Sequence, residues 1–179
     1  SGILGDNLTA TCYLGQGSSG GPFATKPVPD DLDWDRWLGQ TPLVPYIPQR
    51  CHGSFRWWYE YSGGKLTDWG AHHVDIATWG MDKTATGPIW IDPVMVEHPV
   101  EFKDGYPTEN DRYNTATQFN IKATYDDGVE LTIRHDTNNG ILFEGTEGRI
   151  FVNRGRLTGE PAEDLASSPL PDGALEEAY

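Results

Sequence analysis

Gly63-Gly64-Lys65-Leu66-Thr67-Asp68-Trp69-Gly70-Ala71-His72-His73-Val74-Asp75-Ile76-Ala77-Thr78-Trp79-Gly80 carries the strongest helical signal in the chain. Thr67 reads as the N-cap, Gly63-Gly64 as the turn before it and Gly80 as the stop, so the spacing predicts a helix over 67–80. At about 100° per residue, Trp69, His73, Ile76 and Ala77 gather on one side as the predicted buried stripe. Asp68, His72, Asp75 and Trp79 gather on a neighbouring face.

Away from this helix the period changes to two. Residues 7–14 read as a strand running into the loop Gly15-Gln16-Gly17-Ser18-Ser19-Gly20-Gly21-Pro22. Beyond Gly87-Pro88, residues 89–92 and 94–97 are short strand candidates. Residues 113–125 alternate, with Tyr113, Thr115, Thr117, Phe119, Ile121, Ala123 and Tyr125 on one side, and Asp126-Asp127-Gly128 turns the chain into 129–135. A second hairpin pairs 141–144 with 149–153 across Gly145-Thr146-Glu147-Gly148, after the turn Asn138-Asn139-Gly140. Most of the second half is therefore antiparallel sheet. Between the first strand and the helix, Leu32-Asp33-Trp34-Asp35-Arg36-Trp37-Leu38-Gly39 reads as a short helical turn that sets Trp34 and Trp37 on one face. Pro42, Pro45 and Pro48 then enforce extended backbone.

Length and composition bound the function. The 179 residues make one ordinary domain or two small ones, and 13 basic against 27 acidic residues give a formal charge of -14. Binding to a phosphate backbone would start from repulsion, so nucleic acid is not an expected partner. Seven Trp, eight Tyr and six Phe are too many for a disordered acidic chain, and no apolar run approaches the roughly 18 residues of a membrane span. Cys12 and Cys51 exclude a disulfide scaffold and a zinc ribbon while leaving one bridge open. Asn7-Leu8-Thr9 satisfies a glycosylation sequon. The chain starts at Ser1 without Met, and residues 160–179 hold six acidic groups and no basic one, with Asp172 placed to cap a helix that stops at Tyr179. A fragment with a truncated acidic tail is the expectation. The loop at 15–20 matches G-x-G-x-x-G, but Pro22, Pro27 and Pro29 follow where a dinucleotide site needs a helix N-terminus, so a flexible turn is expected there.

Chemistry is concentrated between Arg50 and Asp75. Asp68 and His72 are i, i+4 on the predicted helix, and Asp75 lies three residues further on. A carboxylate beside an imidazole favours the imidazolium and fixes its tautomer, as a general acid or base requires. Just upstream, Trp57, Trp58, Tyr59 and Tyr61 suit stacking on sugar rings, and Arg56 and Lys65 suit hydroxyl or acidic groups. Three readings compete: Asp68 capping the first turn of a helix with structural histidines, a metal site needing a third ligand from His52, His98 or His135, and acid/base catalysis.

The stretches 32–39, Arg56-Trp57-Trp58, Gly63 to Asp75 and Phe143-Glu144-Gly145-Thr146-Glu147-Gly148, taken in order, resemble the second domain of the Gfo/Idh/MocA oxidoreductases. The G-G-x-x-x-D-x-x-x-H pattern is the specific part. The resemblance implies an α+β fold, an open, largely antiparallel sheet with helices packed on one face, forming a single C-terminal domain over 1–179. It implies an NAD(P)-dependent dehydrogenase acting on sugars or polyols, with NAD or NADP held by an N-terminal Rossmann domain and a homo-oligomer formed through the sheet face. His72 would accept the proton of the substrate hydroxyl, and Asp68 would orient substrate or His72. Lys65, Arg56, Trp57, Tyr59, Asp75 and His73 would line the substrate, and Gly63 and Gly64 would let the loop approach it. This chain has no E-K-P motif and no strand–glycine loop–helix unit, so no cofactor and no metal are expected on it, and by itself it should be catalytically silent. A carbohydrate-binding or assembly module, an NAD-assisted glycosidase of the same family and a metallohydrolase are the alternatives.

Overall fold

β1 (Thr9–Tyr13) alternates small buried residues, Ala10 and Cys12, with half-exposed threonines, and this alternation makes it the central strand. In the computed structural model, which describes residues 3–137, 139–162 and 167, β1 lies parallel to β6 (Glu130–Arg134) and antiparallel to β7 (Gly140–Gly145). With β2 (Trp90–Glu97), β5 (Gln118–Thr124), β8 (Gly148–Asn153) and β9 (Arg156–Thr158) it forms a mixed sheet of order β2-β5-β6-β1-β7-β8-β9. Every pairing other than β1–β6 is antiparallel. A small hairpin, β3 (Phe102–Lys103) with β4 (Tyr106–Pro107), stands apart. The fold is α+β, as the sequence implies.

Both predicted hairpins form, as β5–β6 and β7–β8. The differences lie at the edges. The two short strands expected at 89–92 and 94–97 are one edge strand, β2, bulged between Pro93 and Met95, because an edge position tolerates the missing proline N–H. Residues 113–117 are not strand: Asn114 and Thr115 are wholly buried, and both backbone amides donate to the Trp57 carbonyl at 3.0 and 3.3 Å. That local pairing uses the backbone groups a ladder would need.

The long helix, α2 (Gly64–Gly80), crosses one face of the sheet over β1, β6 and β7. It begins three residues before the expected cap. Gly63 is the N-cap, and Thr67 works from inside the helix, its Oγ1 accepting from the Gly63 amide at 3.0 Å. Close approach depends on small residues. A Cβ on Gly70 would stand 3.3 Å from Leu14, and one on Gly80 would stand 2.6 Å from the Phe143 ring. Leu14, Phe119, Leu131 and Ile141 complete the core, each contributing roughly 1.5–3 kcal/mol by burial. Ile76, expected in the buried stripe, is instead partly exposed. With Trp79 it walls an apolar groove of about 480 Å³ whose far side is Leu8, Phe143, Ile150, Val152 and Leu157.

A second cluster forms from α1 (Trp34–Leu38), where Trp34 and Trp37 stack at 5.1 Å and pack with Tyr46, Tyr61 and Cys51. Cys51 thus sits in one cluster and Cys12 in the other, and both are free, so the open possibility of a bridge is not realised. The glycine loop is a packed segment rather than a flexible turn: a Cβ on Gly17 would meet the Ala116 carbonyl, and one on Gly20 would meet Tyr113 and Phe23. The helix expected after Asp172 lies outside the described residues.

Gly64 has a positive φ of 64°, and a Cβ there would lie 2.4 Å from Thr115 Oγ1. Gly64→Ala is therefore expected to cost more than about 1 kcal/mol, read as a lowered midpoint in urea unfolding; an unchanged midpoint would contradict this packing.

Candidate functional site

The site grows from the first three turns of α2 and from what braces them. Arg50, at the end of a 3₁₀ turn (Pro48–Arg50), is fully buried. Its guanidinium stacks 3.9 Å from the Trp58 ring and donates to Tyr61 Oη at 2.9 Å, Glu60 Oε1 at 3.3 Å and the Asn110 carbonyl at 2.5 Å. Asn114 closes the bracket by donating to Glu60 Oε2 at 3.1 Å and accepting from the Tyr59 amide at 2.6 Å. Segment 50–61 is thereby tied to 110–115. A second 3₁₀ turn, His52–Trp57, then carries Arg56 to the helix.

Arg56 donates to Asp68 Oδ2 at 2.8 Å and to the Gly53 carbonyl at 2.7 Å. This changes the sequence reading twice. The hydrogen-bond partner of Asp68 is Arg56, and none joins it to His72. Asp68 also lies in the second turn of α2 rather than the first, beyond the strongest reach of the helix dipole. His72 is exposed, its ring 6.3 Å from that of Trp69, and Asp75 is exposed further along with no side-chain hydrogen bond among the described residues. Trp57 and Trp58 do not alternate on a strand. Trp57 ends the 3₁₀ turn, half-buried under Arg56, and Trp58, just beyond it, is wholly buried beneath Arg50. Tyr59 is exposed and packs edge-on to Phe102.

His73 faces inward and is 3% exposed, its backbone carbonyl accepting from Cys12 Sγ at 3.4 Å. Neither ring nitrogen has a hydrogen-bond partner among the described residues. Asn139 polarises the ring without reaching bonding geometry, and burial, with Arg154, His72 and Lys65 nearby, lowers its pKa from 6.5. The unfolded chain then binds the proton more readily than the folded one. Stability is therefore highest above the unfolded pKa of 6.5 and falls as pH drops through it. His73→Gln is expected to flatten this fall in urea titrations at pH 7.5 and 5.5; an unchanged pH slope would show that another group titrates.

Trp69 is the residue that sequence reasoning placed only in the core stripe. Its ring has Lys65 Nζ at 5.2 Å and the Arg154 guanidinium at 5.4 Å. It borders a cavity of about 220 Å³ with Asn139, Asn153, Arg154 and Gly155. Arg154, in the β8–β9 turn, was missed; its only signal was a free-standing Arg-Gly turn in an acidic chain. Burial pushes the Cys12 thiol up to about 12, so it is no nucleophile. Among the described residues no three His, Cys, Asp or Glu side chains stand together as metal ligands, and no helix is long and apolar enough to cross a membrane.

The model of the oxidoreductase family's C-terminal alpha/beta domain matches residues 16–177. The chain belongs to the Gfo/Idh/MocA oxidoreductase family. No curated protein matches it. Among solved structures, an oxidoreductase from Thermotoga maritima is similar at 14% identity and a TM-score of 0.40, over 88% of this chain and 37% of its own. The chain therefore spans well under half the length of that protein. The Gfo/Idh/MocA match takes in α2 with Lys65, Asp68, His72 and His73, and also the β8–β9 turn with Arg154. In the glycine loop of this Gfo/Idh/MocA domain, Gly17, Gly20 and Gly21 fit against residues 111–117, and no helix follows before Trp34.

Proposed function

We propose that this domain is the substrate side of an NAD(P)-dependent sugar or polyol dehydrogenase in which His72 is the general base. The observation that carries the reading is the solvent-open His72 one turn beyond an Asp68 whose charge Arg56 holds in place, on a helix of an oxidoreductase-family domain. The nicotinamide, held in this reading by a separate N-terminal Rossmann domain, supplies the hydride acceptor. The residues of this chain handle the proton and the position. An imidazole nitrogen of His72 takes the hydroxyl proton as the alcohol becomes a carbonyl. Asp68 Oδ1, unpartnered among the described residues, accepts a neighbouring hydroxyl, and Trp69 supplies the apolar wall against which a sugar ring packs. Lys65 and His73 stand around Trp69, whereas Tyr59 and Asp75 are more remote and contribute less.

Homo-oligomerisation through the sheet belongs to the same reading. It is supported by the edge strand β2, which leaves Trp90, Ile91, Val94 and Val96 exposed, a row of apolar groups that natural edges usually cover. The test of the catalytic reading is turnover of His72→Ala in the enzyme that carries this domain, with wild-type turnover as the result that would overturn it.

A further inference from the structure

Six of the thirteen basic side chains of this acidic chain are neutralised internally. Arg50, Arg56, Lys83, Arg112, Lys122 and Arg134 each pair with a carboxylate. Among those without a carboxylate partner in the described residues, Lys65 and Arg154 come from α2 and from the β8–β9 turn and converge on the one Trp69 ring. Two cations brought to one indole repel each other unless an anion joins them. Beside the ring, at 5.7 Å, His73 is buried with neither nitrogen in hydrogen-bond geometry among the described residues, a state that costs about 1–3 kcal/mol. The adjoining cavity of about 220 Å³, with Asn139 and Asn153 on its wall, is below the roughly 300–1,000 Å³ of pockets that enclose whole ligands. It is sized for a substituent.

We propose that Lys65, Arg154, Trp69 and the cavity beside them form an anion subsite that receives the carboxylate or phosphate of an acidic sugar. Arg154 offers its planar fork to the anion's oxygens, Lys65 adds a second charge, and the Trp69 face carries the adjoining carbon skeleton. The subsite stands on these residues alone. That its anion belongs to the oxidised substrate rests on the reading of His72 above, whose ring lies 6.3 Å from Trp69.

The test is calorimetric titration of the 179-residue chain with glucuronate, glucose 6-phosphate and neutral glucose. At least one acidic sugar is expected to bind and glucose is not; which of the two binds tighter separates carboxylate from phosphate. Inorganic phosphate is expected to compete, and raised salt to weaken binding. Arg154→Gln, in an exposed turn, is expected to weaken binding about tenfold with an unchanged circular dichroism spectrum, and Lys65→Gln to weaken it less. Equal binding of glucose, no binding of either acidic sugar, or unchanged affinity in Arg154→Gln would overturn the subsite. The two readings fail separately. Wild-type turnover in His72→Ala with intact acidic-sugar binding removes the dehydrogenase and keeps the subsite. Neutral-sugar turnover abolished by His72→Ala, with no acidic-sugar binding, does the reverse.

Discussion

His72→Ala is expected to lower kcat by about 10² or more in the dehydrogenase proposed for this domain, because a positioned general base contributes roughly 10²–10⁴-fold. That loss corresponds to about 2.7 kcal/mol or more of transition-state stabilisation. The expectation follows from exposure. His72 reaches solvent on α2 and has no hydrogen bond among the described residues, so its truncation removes a functional group without opening a cavity. KM should change little, since the base acts on the proton rather than on the sugar ring. Asp68→Asn is the informative companion. It would leave Arg56 without its carboxylate, so part of its effect would come from a displaced 3₁₀ turn and should appear in stability as well as in rate. A His72→Ala enzyme with wild-type kcat would mean that α2 carries no base.

Arg50→Met is expected to be the most damaging single change to stability. Arg50 is fully buried and bonded to Glu60, Tyr61 and the Asn110 carbonyl while stacked on Trp58. Methionine matches some of its volume but leaves Glu60 with Asn114 as its remaining side-chain partner. Breaking a buried pair on one side costs roughly 3–5 kcal/mol, which for a chain of this size is a fall in Tm of roughly 6–20 °C. The bracket between 50–61 and 110–115 also positions Arg56, so activity should weaken along with stability. A Tm within a degree or two of wild type would show that the Arg50 network is dispensable.

Where local periodicity carried the signal, the chain could be read directly. The 3.6-residue period from Gly63 to Gly80 is α2, and the period-two runs around Asp126-Asp127-Gly128 and Gly145-Thr146-Glu147-Gly148 are the β5–β6 and β7–β8 hairpins. These elements are legible because their contacts are close in sequence. The helix start shifted by three residues because Gly64 at positive φ and Thr67 reaching back to Gly63 act as a cap that a Ser/Thr-first rule does not anticipate. The break at 113–117 escaped the alternation rule because Asn114 and Thr115 answer to Trp57, more than fifty residues away.

The sequence by itself determined the long helix, the two hairpins and the face of α2 on which Asp68, His72 and Asp75 lie, since these follow from spacing along one helix or one hairpin, and it pointed to the fold class through the likeness of its motifs to a known family. Only the tertiary structure decided which groups meet. It inserted β1 between β6 and β7, gave Asp68 to Arg56 rather than to His72, buried Trp58 under Arg50, and brought Arg154 across from the β8–β9 turn to the Trp69 ring. The reason is physical. Helical and strand periods fix where a side chain points relative to its own element, but a charge settles on whichever partner the packing of distant elements brings within a few ångströms.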